Sequence, residues 1–303
     1  MPTTLCLSRR RPLPIAACLA LVAALLAALV LSGCSGNNLH DRLRILQEKR
    51  QRIEAVRTDL LLAVNAEKSA LLSPTQADAK ADLATARQGM ENLGKEMETL
   101  AGLIDKDGNA KEKAAFAAID ADFAEMARID ETLGGLIGRN TNLRAAMLSR
   151  TEAALAVSRL QHALTPVIDA PFCPASREAL RIVTAALSIL SLHAQHIDEA
   201  TAAGMDALEA AMNRQDAKAR AGFDHLAGLL PPDTQQEILP QSKAAYGDFW
   251  RATQEVIRLS RLNTNIQAQS LTVGRKRLLT AKTLSDLATL ETLVGQGEFT
   301  ATR

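Results

Sequence analysis

"GLIGRNTNLRA" at residues 135–145 and "SRLNTNIQA" at residues 260–268 decide how this 303-residue chain is read. Asparagine and threonine are poor helix formers, yet each Asn-Thr-Asn triplet sits inside a long run whose apolar residues recur at three- and four-residue spacing. The triplets lie 123 residues apart, and around them Met126 aligns with Phe249, Arg128 with Arg251, Leu133 with Val256, Leu136 with Leu259 and Leu143 with Ile266. "LAGLI" at 100–104 matches "LAGLL" at 226–230 with an offset of 126, so one connection is three residues shorter in the second half. Matches at a nearly constant offset read as an internal duplication.

Working outward, helix breakers fall at "SPT" (73–75), "DKDGN" (105–109), "TPVIDAPFCP" (165–174), "LPPD" (230–233) and Pro240. The first helix runs from Asp41 to the turn at Pro74, with Leu46, Ile53, Leu60, Val64 and Leu71 as its stripe. A second runs from Gln76 to Ile104 through Leu83, Met90, Leu93, Met97 and Leu100. The third continues from Lys111 through Phe116, Ile119, Phe123, Met126, Leu133, Ile137 and Met147 to Leu164; at 1.5 Å per residue it is roughly 80 Å long. The plan then repeats. A helix from Ser176 carries Leu180, Val183, Leu187, Leu190, Ile197 and Met205, another reaches Leu230, and a last long one runs from Gln241 to Val294.

An Ala/Leu-rich body with one Trp, one Tyr and no alternating β-branched runs points to an all-α fold. The expected architecture is an elongated up-down helical bundle: two stacked four-helix bundles sharing two long helices. It spans 41–294, with repeat one at 41–164, repeat two at 175–294 and a tail at 295–303.

At the amino terminus, Arg9, Arg10 and Arg11 precede seventeen uncharged residues, Ile15–Leu31, as an n-region precedes an h-region. The following "LSGC" (Leu31–Cys34) resembles the lipobox of bacterial lipoproteins. That resemblance implies a signal peptide over 1–33, acylation of Cys34 (palmitate among its chains), a lipidated linker at 34–40, and membrane lipid as a partner. With Ser35 rather than Asp after the cysteine, it further implies the cell envelope on the periplasmic side, at the outer membrane. Each buried acyl methylene contributes about 0.8 kcal/mol, so several chains hold a folded domain on a bilayer. The alternative is an uncleaved anchor, for which seventeen apolar residues are barely enough.

Cleavage removes three of 35 basic and none of 34 acidic residues, leaving 270 residues with 32 basic against 34 acidic. This balance gives no reason to expect nucleic acid. Cys6 and Cys18 leave with the signal and Cys34 is acylated, so Cys173 alone remains and a disulfide framework is excluded.

The helical layout resembles the helical bimodular sensor domains of chemoreceptors and sensor kinases. "LLLAVNAEKSALLS" (60–73) is similar to the first-helix segment of the broader four-helix-bundle sensor family, with Glu67 at the acidic position and Ala70 where an aromatic residue is usual. What this implies is a sensor-like module binding a small molecule or a partner protein. Since the sequence stops at Arg303 after "GQGEFTATR", a separate membrane receptor or kinase is expected to carry the signal. The competing expectation is a structural lipoprotein whose helices act as a spacer or scaffold.

Polar residues at seam positions are the candidates, because an unpaired buried polar group costs about 1–3 kcal/mol. Asn140 lies between Leu136 and Leu143, and Asn263 between Leu259 and Ile266. Three readings stand: register-setting asparagines, a kink loosened by Gly134, Gly135 and Gly138, or ligand contact. For a small anionic ligand, Arg57 and Arg144 are the forked donors expected to reach a cavity. His193 and His196, three apart with Glu199 three further on, are weak metal candidates, and hydrogen bonding across helices is the competing role. No Gly-rich phosphate loop, Gly-x-Ser-x-Gly, His-Glu-x-x-His or Cys-x-x-Cys-His is present. No catalytic activity and no cofactor are expected.

Overall fold

The computed structural model describes the backbone of residues 15–170 and 174–301 and the side chains of 40–170 and 174–296. The side chains of the signal segment and of Cys34, and Cys173 altogether, lie outside the described residues. All regular elements described are helical: α1 (Ile15–Leu72), α2 (Gln76–Asp107), α3 (Ala110–Arg139), α4 (Thr141–Leu148), α5 (Ala154–Ile168), α6 (Pro174–Asp198), α7 (Ala202–Leu229), α8 (Pro232–Leu262), α9 (Thr264–Leu271) and α10 (Arg277–Ala301). The fold is an all-α helical bundle. It divides into two compact units, the first of residues 1–58, 93–120 and 284–303, the second of 59–92 and 121–283.

In the first unit, buried seams of α1 (Leu46, Ile53, Val56), α2 (Leu93, Met97, Leu100, Ile104), α3 (Ile119) and α10 (Leu287, Leu290, Val294) supply the core. Asn109 starts α3: its Oδ1 accepts from the backbone N–H of Lys111 (2.9 Å) and Glu112 (3.0 Å), and its Nδ2 donates to Glu112 (2.6 Å). So oriented, Glu112 accepts a 2.9 Å bond from the fully buried Lys49, which also donates to the Asp107 carbonyl at 3.2 Å.

The second unit's largest core joins Leu160 and Leu164 of α5, Ile182 and Ile189 of α6, Phe223 and Leu226 of α7, and Phe249 of α8. Tyr246 sits edge-on to Phe223 (5.6 Å) and donates its hydroxyl to Asp216 at 2.8 Å. Burial and that carboxylate raise its pKa. Another cluster collects Leu83, Ile129, Leu133, Ile137 and Ala268. Thr75 and Thr201 close the entries to α2 and α7 by accepting from Asp78 N and Gly204 N, both at 3.1 Å.

The expected long third and last helices are each interrupted twice. Asn140 (φ 44°, ψ 49°) and Asn263 (φ 50°, ψ 35°) are left-handed and break them outright. Nine residues after each break comes a five-residue π-turn, Ser149–Ala153 in one copy and Thr272–Lys276 in the other. Break and π-turn recur at the same 123-residue offset as the triplets. Asparagine tolerates positive φ far better than most other residues with a side chain, while Gly134, Gly135 and Gly138 stay helical within α3.

Counting through the breaks misplaces some side chains. Met147 is exposed because the left-handed residue resets the helix phase. Leu180 and Leu187 are exposed too, α6 burying Ala179, Ile182, Ala186, Ile189 and His193 instead. Met205 belongs to α7, since α6 ends at Asp198. Pro240 does not stop α8, which starts at Pro232 and runs through it while the Ser242 hydroxyl donates to the Ile238 carbonyl at 2.8 Å.

Candidate functional site

The two triplets meet within the second unit and clasp each other reciprocally. Thr141 N donates to Thr264 Oγ1 (3.0 Å), Thr264 N donates to Thr141 Oγ1 (3.3 Å), and the two hydroxyls lie 3.2 Å apart. Asn142 N donates to Asn265 Oδ1 and Asn265 N to Asn142 Oδ1, both at 3.3 Å. Asn142 Nδ2 donates to Asn263 Oδ1 (3.0 Å) and Asn265 Nδ2 to Asn140 Oδ1 (2.6 Å). The first N–H groups of α4 and α9 have no partner within their own helices, so each copy caps the other. Asn140 and Asn263 thus pair through the third residue of the opposite triplet rather than with each other. Asn142 Nδ2 also donates to the Ile197 carbonyl (2.7 Å) and Asn263 Nδ2 to the Glu199 carbonyl (3.2 Å), tying the end of α6 to the clasp.

Both histidines of α6 are fully buried with both ring nitrogens engaged. His193 contacts Ser149 Oγ (2.9 Å) and Thr253 Oγ1 (3.2 Å); burial lowers its pKa to about 4. His196 contacts Ser260 Oγ (2.7 Å) and Glu209 Oε1 (2.9 Å). Glu199 instead accepts from the backbone N–H (2.8 Å) and the hydroxyl (2.7 Å) of Thr201. Among the described residues no three His, Cys, Asp or Glu groups converge to hold a metal.

A second buried cluster consists of Lys276, which donates to both Glu67 and Asp130. Desolvation raises Glu67 to about 7, with Lys276 opposing and Asp130 reinforcing. At the offset of 126 that relates α6 to α1, Glu67 is the counterpart of His193; at 123, Asp130 is the counterpart of Thr253. Each triad is completed from a π-turn, by Lys276 in one case and Ser149 in the other. Lys276 and Asp130 do not stand out in the sequence, and Thr141, Asn142, Thr264 and Asn265 stand out there as marks of the duplication rather than as site candidates. The signal for Lys276 was present: it falls on the four-residue spacing of Ala268, Thr272 and Thr280.

Beside the clasp lies an open groove of about 930 Å³. Leu136, Met205, Ile266 and Leu271 give it an apolar lining, Asn263 and Gly274 bring the break and the π-turn into its wall, and Arg261 and Arg275 add guanidinium groups. Arg261 donates to Glu209 (2.6 Å) and to Asp206, and holds Glu209 below the usual carboxylate range. Arg275 pairs with Glu125. Among the described residues, no carboxylate side chain lines the groove itself.

Of the residues expected to bind a ligand, Asn263 alone lines this groove. Asn140 is buried in the clasp, and Arg144 is exposed on α4. Arg57 belongs to the first unit, paired with Glu54 and with Glu291 at 2.8 Å. No family model, curated protein or solved structure matches the chain.

Proposed function

We propose that the protein is a lipid-anchored, extracytoplasmic, sensor-like binding module. A small anionic or amphipathic molecule enters the groove at the Asn263 break, and a separate membrane receptor or kinase reads the occupied state. The observation that carries this reading is the groove itself, with an apolar floor, two arginines, no lining carboxylate, and a wall interrupted twice within a few residues. Apolar concave sites with a few convergent polar groups are the usual form of small-molecule sites. Helix interruptions of the π kind concentrate at functional positions, and they let a wall change register without unravelling a whole helix. Attachment through Cys34 rests on the lipobox resemblance.

The spacer reading draws support from the clasp, whose buried amides are all bonded within the protein. Thermal-shift screening against organic acids, amino acids and amines separates the two. A ligand at 100 times its Kd adds about 2.7 kcal/mol, which raises Tm by roughly 5–10 °C in a domain of this size. That shift should disappear in Arg275→Gln. If no compound in the three classes moves Tm, the small-molecule reading fails.

A further inference from the structure

From the groove between α6 and α7 in the second unit, we infer that this protein docks an acidic amphipathic helix of a partner protein. The site is separate from the groove at Asn263 and does not depend on it. It begins with Gly222, where a Cβ would stand 2.8 Å from Ile182 Cγ1, so only glycine lets the α7 backbone settle so closely on α6. With Ala185 and Ala221 it forms a floor of small residues in a groove of about 640 Å³.

Leu180 (48% exposed) borders the groove, and Leu187 (46% exposed) follows two turns along on the same face of α6. Basic groups ring the floor: Arg177 and Arg181 from α6, Lys218 and His225 from α7. The adjacent acid, Glu178, is itself largely buried and accepts from Arg181 at 2.9 Å, with His225 3.8 Å away. Among the described residues, Arg177 and Lys218 have no ion pair. The rim is therefore a net cationic surface around an apolar trough.

Shape and charge together select the occupant. A trough with small residues below, leucines alongside and cations on both walls is the complement of a helix with an apolar stripe flanked by Glu or Asp. A flat bilayer would touch the rim and leave the floor empty. A small polar ligand would find its donors at the rim and no buried polar group below to orient it.

The probe is a synthetic amphipathic helix with leucine at a and d and glutamate at e and g, followed by fluorescence anisotropy against the full chain. It should bind saturably and more weakly as salt rises, while the version with lysine at e and g should not bind. Arg177→Glu with Lys218→Glu should weaken it about tenfold or more, which is about 1.4 kcal/mol. Ala221→Trp fills the trough but leaves every rim charge in place, and should weaken it by a similar factor. These three positions are exposed, and circular dichroism checks that each variant keeps its helices. Undiminished binding to Ala221→Trp would mean attraction by surface charge alone and overturn the proposal. Failure of the peptide to bind, with the chain binding phosphatidylglycerol vesicles instead, would overturn it in favour of a membrane face.

Discussion

Replacing Asn263 by glycine and by alanine separates the two things this residue does. Its backbone is held at φ 50°, which glycine adopts freely and a residue with a Cβ adopts at a cost of about 1–2 kcal/mol. Its side chain accepts from Asn142 Nδ2 and donates to the Glu199 carbonyl; two such bonds in a buried site are worth about 1–3 kcal/mol together. Asn263→Gly loses the bonds only, so about 1–3 kcal/mol. Asn263→Ala loses both contributions, so about 2–5 kcal/mol. Urea unfolding followed by far-ultraviolet circular dichroism reads the difference, provided the m-value is unchanged. A double-mutant cycle between Asn142 and Asn263 should give a coupling of about 1 kcal/mol, because they touch. If Asn263→Ala is no less stable than Asn263→Gly, the left-handed break is not an energetic feature of the fold. A coupling of zero would mean that the clasp does not exist in solution.

Two pH profiles follow from the buried triads. Glu67 titrates at about 7 in the folded chain, above its ordinary 4.5. Its contribution is thus complete below pH 4.5 and lost as pH rises through 7; Glu67→Gln should remove up to about 3 kcal/mol of that decline, measured as urea midpoints across the range. His193 has the opposite sign, falling from 6.5 to about 4: its contribution is complete above pH 6.5 and lost as pH falls through 4. His193→Asn should therefore lose about 3 kcal/mol less than the parent over that interval, and an unchanged acid slope would refute its burial as a neutral ring.

Helix content and most connection points could be read from apolar spacing and breakers, because burial of one face dictates where the leucines fall, and the duplication from the residue matches at a near-constant offset; among the breakers Pro240, inside α8, is the exception. The interruptions could not, since a helix pattern looks the same whether or not one residue in it has turned left-handed. Once Asn140 has done so, counting past it misleads, and Met147 is the consequence. Leu180 and Leu187 escaped for another reason: α6 packs its alanines and Gly222 faces Ile182, so a close helix crossing selected small residues over large ones for the core. At the candidate site, Asn263 was visible as a seam amide; Arg57 and Arg144 were not separable from ordinary surface arginines, because only tertiary structure decides which guanidinium groups meet a concave surface.

The duplication also explains why the polar chemistry in the second unit is so unevenly distributed. A seam position on α1 and its counterpart on α6 each face a π-turn, which supplies a polar partner, Lys276 to Glu67 and Ser149 to His193. One copy is built with ions, Glu67 against Lys276 and Asp130, and the other with neutral groups, His193 against Ser149 and Thr253. Burial acts on Glu67 and His193 in the same way, driving each toward its uncharged form. It therefore raises the acid and lowers the base. The Asn-Thr-Asn clasp did not diverge in this manner because its bonds are reciprocal: changing one triplet strands donors in the other, so the two copies were held to the same three residues while the triads beside them were free to part.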